Sequence, residues 1–320
     1  CRGTAQDRHQ KKVWCQAVVK IKQESPAMGI RLICGLFGRT RHAYYDRQWR
    51  VQDVGLKDEV ILQHVLRIRS EQRRIGTRKL LHMLSGPLQE HGIRIGRDYL
   101  FALMREHSLQ IRTRKRKAVT TDSRHWMKKY GNLIKGLAVE RPEQVWVSDI
   151  TYVQLNRRWG YLSLITDAYS RKIVGWAFRG DLSAQGCIDA LQMALRQRQY
   201  PGKGLIHHSD RGSQYCSKGY VDILRSNGIA VSMTENGDPY ENAIAERVNG
   251  ILKAEFDLYA SQGGLRETAG KIRENIRVYN NLRPHASCDY LTPEQAHMRS
   301  GALRKRWRPK KYPIVKKEFV

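Results

Sequence analysis

The sequence predicts an α/β core preceded by small all-helical segments of helix-turn-helix type. Three observations point there. Apolar residues recur at helical spacing through roughly the first hundred residues. From Val145 the pattern changes to three short β-rich runs joined by turns, and after them helical and strand-like runs alternate. The charge is lopsided: 58 Lys and Arg against 30 Asp and Glu give +28, a field that gathers a polyanion such as nucleic acid.

Val13–Glu24 reads as the first helix. Met28–Phe37 and Arg39–Tyr45 are two short helical patterns around Gly38, a spacing that resembles a helix-turn-helix. It puts Arg39, Arg41 and His42 at the front of the would-be recognition helix as DNA-contact candidates, although any small helical hairpin shows the same spacing. A break at Asp53–Gly55 closes this segment, taken as residues 1–52. Leu56–Ser70 is amphipathic, Thr77 stands where an N-cap would open a further helix, Gly92 interrupts, and Arg97–His107 follows. Residues 53–110 therefore form a second helical, DNA-binding segment, for which plain helix packing is an equally good account.

Ile111–Ala118 lacks apolar periodicity and carries Arg112, Arg114, Lys115, Arg116 and Lys117, a composition suited to gripping phosphates without reading bases. It opens a basic linker, residues 111–143. Val145–Val153, Gly160–Asp167 and Lys172–Phe178 then read as an antiparallel meander. Ser183–Arg198 is a helix with a Ser183 cap, Leu205–His208 a strand, Lys218–Asn227 a helix, Ile229–Ser232 a strand and Asn242–Phe256 a helix. Three antiparallel strands followed by alternating helices and strands match the ribonuclease H-like order for a core at 144–258. Leu265–Asn280 begins a helical extension, 259–302, and a basic tail closes the chain at 303–320.

The charge is partitioned along the chain. Residues 1–144 carry a net +18, residues 145–255 only +2, and the remainder +8, as expected of a core that gathers carboxylates between basic arms. The apolar fraction of 41% excludes wholesale disorder. Cys1, Cys15, Cys34, Cys187, Cys216 and Cys288 form no Cys-x-x-Cys pair, which argues against a disulfide framework or a structural zinc and for free thiols in a reducing cytoplasm. No apolar run is long enough for a membrane span and no signal peptide is present. A chain that starts at Cys1 rather than methionine is expected to be a fragment, a processed product or the downstream part of a fusion.

Three acids stand out as candidates for catalysis and metal binding: Asp149 in WVSDITY, Asp210 in HHSDRGSQY and Glu246 in ENAIAERVNGILK. Asp149 interrupts a strand that should be interior, costly for a carboxylate unless it is paired or binds metal. Asp210 follows its strand at the carboxyl end, where α/β proteins place their sites. Glu246 competes with Glu235, Asp238, Glu241 and Glu255, and a solvated helical face explains it equally well. Asn242, Glu246, Asn249 and Lys253 recur at four, three and four, so they share one face that can offer a carboxylate to metal and an amide and ammonium to a DNA backbone. Carboxylates holding two divalent ions roughly 3.5–4 Å apart can activate a nucleophile and stabilise the leaving group of a phosphodiester.

With these residues on the page the chain resembles a known family. Trp146, Asp149 and Thr151, the segment His208–Tyr215, the helix around Asn242, Ala243 and Glu246, the run Tyr279-Asn280-Asn281-x-Arg283-Pro284-His285, and Leu291-Thr292-Pro293-x-x-Ala296 resemble the integrase-type core of bacterial insertion-sequence transposases. The similarity is to the downstream product of the two-reading-frame, copy-out type. Thirty-five residues between Asp210 and Glu246 is that family's own spacing. The resemblance implies a DDE enzyme with a ribonuclease H-like fold that uses two Mg²⁺ or Mn²⁺ ions held by Asp149, Asp210 and Glu246. It would cleave one strand at an element end to a 3′-hydroxyl and join that end by direct transesterification.

The same resemblance implies double-stranded DNA as partner, both element ends and target, contacted also by Arg283 and His285. A homo-oligomer on DNA, an upstream reading-frame protein or fusion, and the bacterial cytoplasm at the nucleoid are further implications. Asp167 resembles a structural strand-turn residue and not a ligand. Ala245 and Val248-Asn249-Gly250 depart from the usual methionine and aromatic pair, and Glu235-Asn236-Gly237-Asp238 from the usual basic residue and glycine. The competing readings are an inactive DNA-binding regulator and a nuclease of the same fold that does not join strands.

Overall fold

The computed structural model describes residues 5–111, 126–156, 158–235 and 242–307, with side chains from residue 13. The chain divides into two compact units, residues 1–66 with 87–94 and residues 67–86 with 95–320.

The first unit opens with helices α1 (Ala5–Glu24) and α2 (Ile30–Leu36), followed by the start of α3 (Arg41–Glu71). Val18, Ile33, Cys34 and Tyr44 form its core, with Trp14, Ile21 and Met28 packed around them. Gly38 turns the chain at φ +62, and the Thr40 hydroxyl accepts from the Ala43 N–H at 3.1 Å to open α3. The expected break at Asp53–Gly55 does not occur. α3 runs through Gly55 for 31 residues, so the 52/53 boundary falls inside a helix. A glycine in a helix costs only about 1 kcal/mol, and the Lys57–Asp53 pair at 2.5 Å spans it. α4 (Thr77–Glu90) begins one residue earlier than expected, since the Gly76 carbonyl accepts from Lys79 and Leu80. Gly76 is therefore the cap and Thr77 the first helical residue. Gly92 at φ +66 ends the turn before α5 (Arg97–Glu106).

The second unit is built on a sheet of β1 (Val145–Leu155), β2 (Arg158–Asp167), β3 (Ile173–Arg179), β4 (Leu205–Ser209), β5 (Ile229–Met233) and β6 (Ala260–Ser261). The order is β3-β2-β1-β4-β5, with β6 beside β1. β1 to β3 are antiparallel, and β4 and β5 run parallel to β1. This is the ribonuclease H-like order that the sequence predicts. Short apolar runs of the length of β4 and β5 suit strands that are covered on both faces.

Alternation along β1 sorts its side chains between two layers. Trp146 faces α6 (Ala184–Arg196), α7 (Ser213–Cys216) and α8 (Lys218–Ser226), among Cys187, Ala190, Leu191, Tyr220 and Leu224, and Ile150 packs against the same cluster. Val153 and Leu155 face α9 (Ala243–Glu255) and α10 (Leu265–Asn281), among Val248, Ile251, Leu252, Ile272 and Tyr279. Val145 and Val147 meet Ala245 on that same side. A 3-10 turn at Ala286–Cys288 and α11 (Pro293–His297) are the last elements among the described residues, α11 opened by a Thr292/Gln295 capping box.

Asn280 locks α10 to the sheet. Its side chain accepts from Ile173 N–H at 3.0 Å and donates to Ile173 C=O at 2.9 Å, replacing a strand at the edge of β3. Cys15, Cys34, Cys187, Cys216 and Cys288 are free thiols. Among the described residues no helix is long and apolar enough to cross a membrane.

Candidate active site on beta 1, beta 4 and alpha 9

β1 and β4 are adjacent and parallel, with Val147 in register with His208. Asp149 and Asp210 each lie two residues further along, so the topology brings the two acids to the same level at the carboxyl end of β4. α9 crosses β1 there. Asn242, its N-cap residue, donates to Ser148 C=O at 2.9 Å, and Asn249 Nδ2 donates to Asp149 Oδ2 at 2.6 Å. The other Asp149 oxygen accepts from the Ile150 N–H at 2.9 Å. Asp210 Oδ1 accepts from the Gly212 N–H at 3.0 Å. Glu246 lies exposed in the first turn of α9.

The electrostatics record the closeness of the three acids. Burial first, then the Asp210 charge and, more weakly, Glu246 push Asp149 up to about 7, against the hydrogen bonds from Asn249 and Ile150. Lys253 is half-buried and lowered by that burial, while Asp149 pulls it the other way, so its ammonium also lies near the site. The helical face expected from the spacing is thus present, but it is turned towards β1. Asn242 and Asn249 are each 6% exposed and spend their amides inside the protein. In this structure they hold the backbone and carboxylate of the site.

Two further expected DNA-contact residues are also buried. Arg283 is 1% exposed and forks onto Glu255, and His285 is 5% exposed with Nδ1 accepting from the Ser287 N–H. Both are packing residues of the C-terminal extension. Asp167 is the structural residue expected of it. It is fully buried, accepting from the Glu143 N–H and from the Ser170 N–H and hydroxyl. Arg39, Arg41 and His42 lie exposed at the start of α3 in the first unit. Arg112, Arg114, Lys115, Arg116 and Lys117 fall outside the described residues.

Beneath the acids lies a buried network that patterning does not reveal. His207 Nε2 is 2.6 Å from the Ser148 hydroxyl and 2.8 Å from the Tyr220 hydroxyl, and burial holds the ring down to about 3, hence neutral. It ties β1 to β4 and α8 directly under Asp149. The only sequence signal was a histidine inside an apolar strand.

Among the described residues no three His, Cys, Asp or Glu side chains are already drawn together as a metal ligand set. The donor chemistry nevertheless fits a hard divalent cation: the acids supply oxygen ligands only. Burial first, and then the neighbouring Asp210 charge, raise Asp149, and a cation between the acids would offset both.

The integrase core domain family matches residues 139–239, and a second integrase core domain family matches 227–293. The chain is 36% identical over 271 residues to the insertion element IS600 31 kDa protein of Shigella sonnei, spanning 82% of this chain and 96% of that one. It is 35% identical to the transposase for insertion sequence element IS629 of Shigella sonnei, over 80% of this chain and 83% of the relative. To transposase InsF for insertion sequence IS3A of Escherichia coli strain K12 it is 32% identical, over 66% and 74%. A solved HTLV-2 integrase catalytic core domain is similar at 20% identity with a TM-score of 0.39, covering 49% of this chain and 97% of that one.

The chain belongs to the IS3-type family of insertion-sequence transposases, with an integrase core. It is an enzyme of DNA transposition, of the polynucleotidyl transferase type.

Proposed function

We propose that Asp149, Asp210 and Glu246 are the catalytic acids and together hold two divalent ions, Mg²⁺ or Mn²⁺, at the end of an insertion element. The observation that carries this reading is the convergence of Asp149, within β1, and Asp210, just past the end of β4, with α9, whose Asn249 bonds the Asp149 carboxylate. When bound, the ions supply Lewis acidity to the attacking and leaving oxygens of an in-line displacement.

The chain's own residues do the positioning. Asn249 orients the Asp149 carboxylate, the Gly212 N–H orients that of Asp210, and the His207 network fixes the strands that carry both. Lys253, near Asp149, would face a phosphate in this reading. Water first adds to the phosphodiester and the 3′-oxygen leaves as a hydroxyl. That hydroxyl then attacks a phosphodiester near the opposite end and displaces a 3′-oxygen there; a later hydrolysis at the joined ends frees a 3′-hydroxyl again, which attacks target DNA and displaces a 3′-oxygen of the target. No bond forms between protein and DNA.

Arg39, Arg41 and His42, with the basic run from Arg112 to Lys117, would hold the duplex in this reading. The enzyme would work as a multimer on paired ends, with the upstream-frame product or a fusion to it, at the nucleoid of a bacterial cytoplasm. Asp149→Asn, Asp210→Asn and Glu246→Gln should each lower Mg²⁺-dependent cleavage of an element-end duplex by on the order of 10²–10³-fold or more. Their affinity for that duplex should stay near wild type. Any one of them retaining wild-type cleavage defeats the assignment of that residue.

A further inference from the structure

A second cluster of charge lies at the far end of α9. Glu255 is the last residue of that helix, nine residues beyond Glu246, about 13 Å along the axis at 1.5 Å per residue. A carboxylate there opposes the helix dipole, and this one is also largely removed from water. Arg283 meets it with two bonds, Nε to Oε2 at 2.8 Å and Nη2 to Oε1 at 2.8 Å. Lys79 of α4 adds Nζ to Oε1 at 2.7 Å. The same corner receives Gln72, which donates to Leu282 C=O at 3.4 Å, and Arg74, 3.8 Å from Asp257.

We propose that Glu255 is a positioning residue of the transposition reaction. Its clamp by Arg283 and Lys79 sets the rotation and axial position of α9 at which Glu246 and Asn249 meet Asp149. The inference rests on the triad reading above.

Asn242 and Asn249 bond β1 from the first two turns of α9, but its last turns pack through apolar Ile251 and Leu252, and apolar contact is non-directional. A slip of one residue would swing Glu246 by about 100° around the axis, so a directional tether has work that packing cannot do. The charges of the clamp act on stability in opposite directions. Burial raises Glu255, but Arg283 and Lys79 outweigh it and hold the acid down to about 2, so folding gains from its ionisation. Burial and the Arg283 charge hold Lys79 down to about 8, so folding loses by keeping it protonated. The two effects oppose. Buried ion clusters can often be replaced by apolar side chains without loss of stability, and their best-attested use is to specify register.

The test is a volume-matched apolar variant, Lys79→Met with Glu255→Leu and Arg283→Met, assayed for cleavage and joining of an element-end duplex in Mg²⁺. The thermal midpoint should stay at or above wild type and KM for the duplex within about twofold, while kcat falls about tenfold or more, as misplacement by an ångström can cause. A well-folded triple variant with wild-type kcat overturns the proposal, since a purely structural clamp would be fully replaced. If the triple variant does not fold, Arg283→Lys decides: it keeps the charge but not the fork. A kcat lowered about threefold or more at unchanged KM supports positioning, and an unchanged kcat overturns it. Asp149→Asn in the same assay separates the two claims. Wild-type activity there sinks the triad itself, whereas loss there with wild-type activity in the clamp variants sinks only the clamp.

Discussion

His297 of α11 sits fully enclosed between two acids, with Nε2 3.8 Å from Glu143 Oε1 and Nδ1 3.8 Å from Asp167 Oδ1. Its Nδ1 is also 2.9 Å from the Ser170 hydroxyl. Burial alone would lower the ring, but the two carboxylates outweigh it and hold His297 above its ordinary value. A base raised in the folded state stabilises fully below its unfolded value, about 6.5, and that contribution fades as pH rises through the folded value. His207 and His285, both lowered by burial, act with the opposite sign, so the effect must be read as a difference. The urea midpoint of wild type minus that of His297→Gln should be largest near pH 6 and shrink towards pH 8. A gap that stays constant or widens would show the ring to be neutral throughout.

At the scale of elements, β3 and α6 approach closely at Gly175. A Cβ there would stand 2.2 Å from the Ala190 carbonyl oxygen and 2.9 Å from the Ala194 Cβ, both on α6. Backbone cannot turn aside as a flexible side chain can. Gly175→Ala should therefore cost about 1–3 kcal/mol by overpacking, seen as a fall of several degrees in the thermal midpoint. Gly202→Ala, with nothing within 4 Å, is the control and should leave the midpoint unchanged. A stable Gly175→Ala variant would mean that β3 and α6 are not packed this closely.

The elements also show where sequence reading succeeds. Strands with alternating or continuous apolar runs, and helices with a clear stripe such as α8 and α10, were legible within one to three residues. α3 was not, because a lone glycine reads as a break when considered locally and is outvoted by the helix on either side. β6, two residues long, has no local pattern and exists only because β1 offers it a partner.

The charge distribution belongs to the whole molecule. The catalytic stretch 145–255 is nearly neutral while the flanks carry the excess of cations, as expected if one part does chemistry and others grip DNA. An element has two ends that must meet before they are joined, so the proposed working form is a multimer in which one protomer's basic region holds the end cleaved by another. Its mass measured in solution with cognate end DNA should correspond to at least two protomers and two ends. A fully active complex containing a single protomer would end that proposal.

By itself the sequence determined the order of the core elements, the basic flanks, and the choice of Asp149 and Asp210 as unusual acids, because periodicity and a misplaced charge are local signals. For Glu246 it needed the family's spacing, since a glutamate on a helix is ordinary. What only the tertiary structure decided is which way polar side chains point. Asn249 turns in to Asp149, Arg283 to Glu255 and Asn280 to β3, although all three looked from the sequence like surface or motif residues. Spacing specifies a helical face, but the partner that face meets lies about a hundred residues away for Asn249 and Asn280. Long-range packing alone decides whether an amide or guanidinium is buried against an acid or left to reach for DNA.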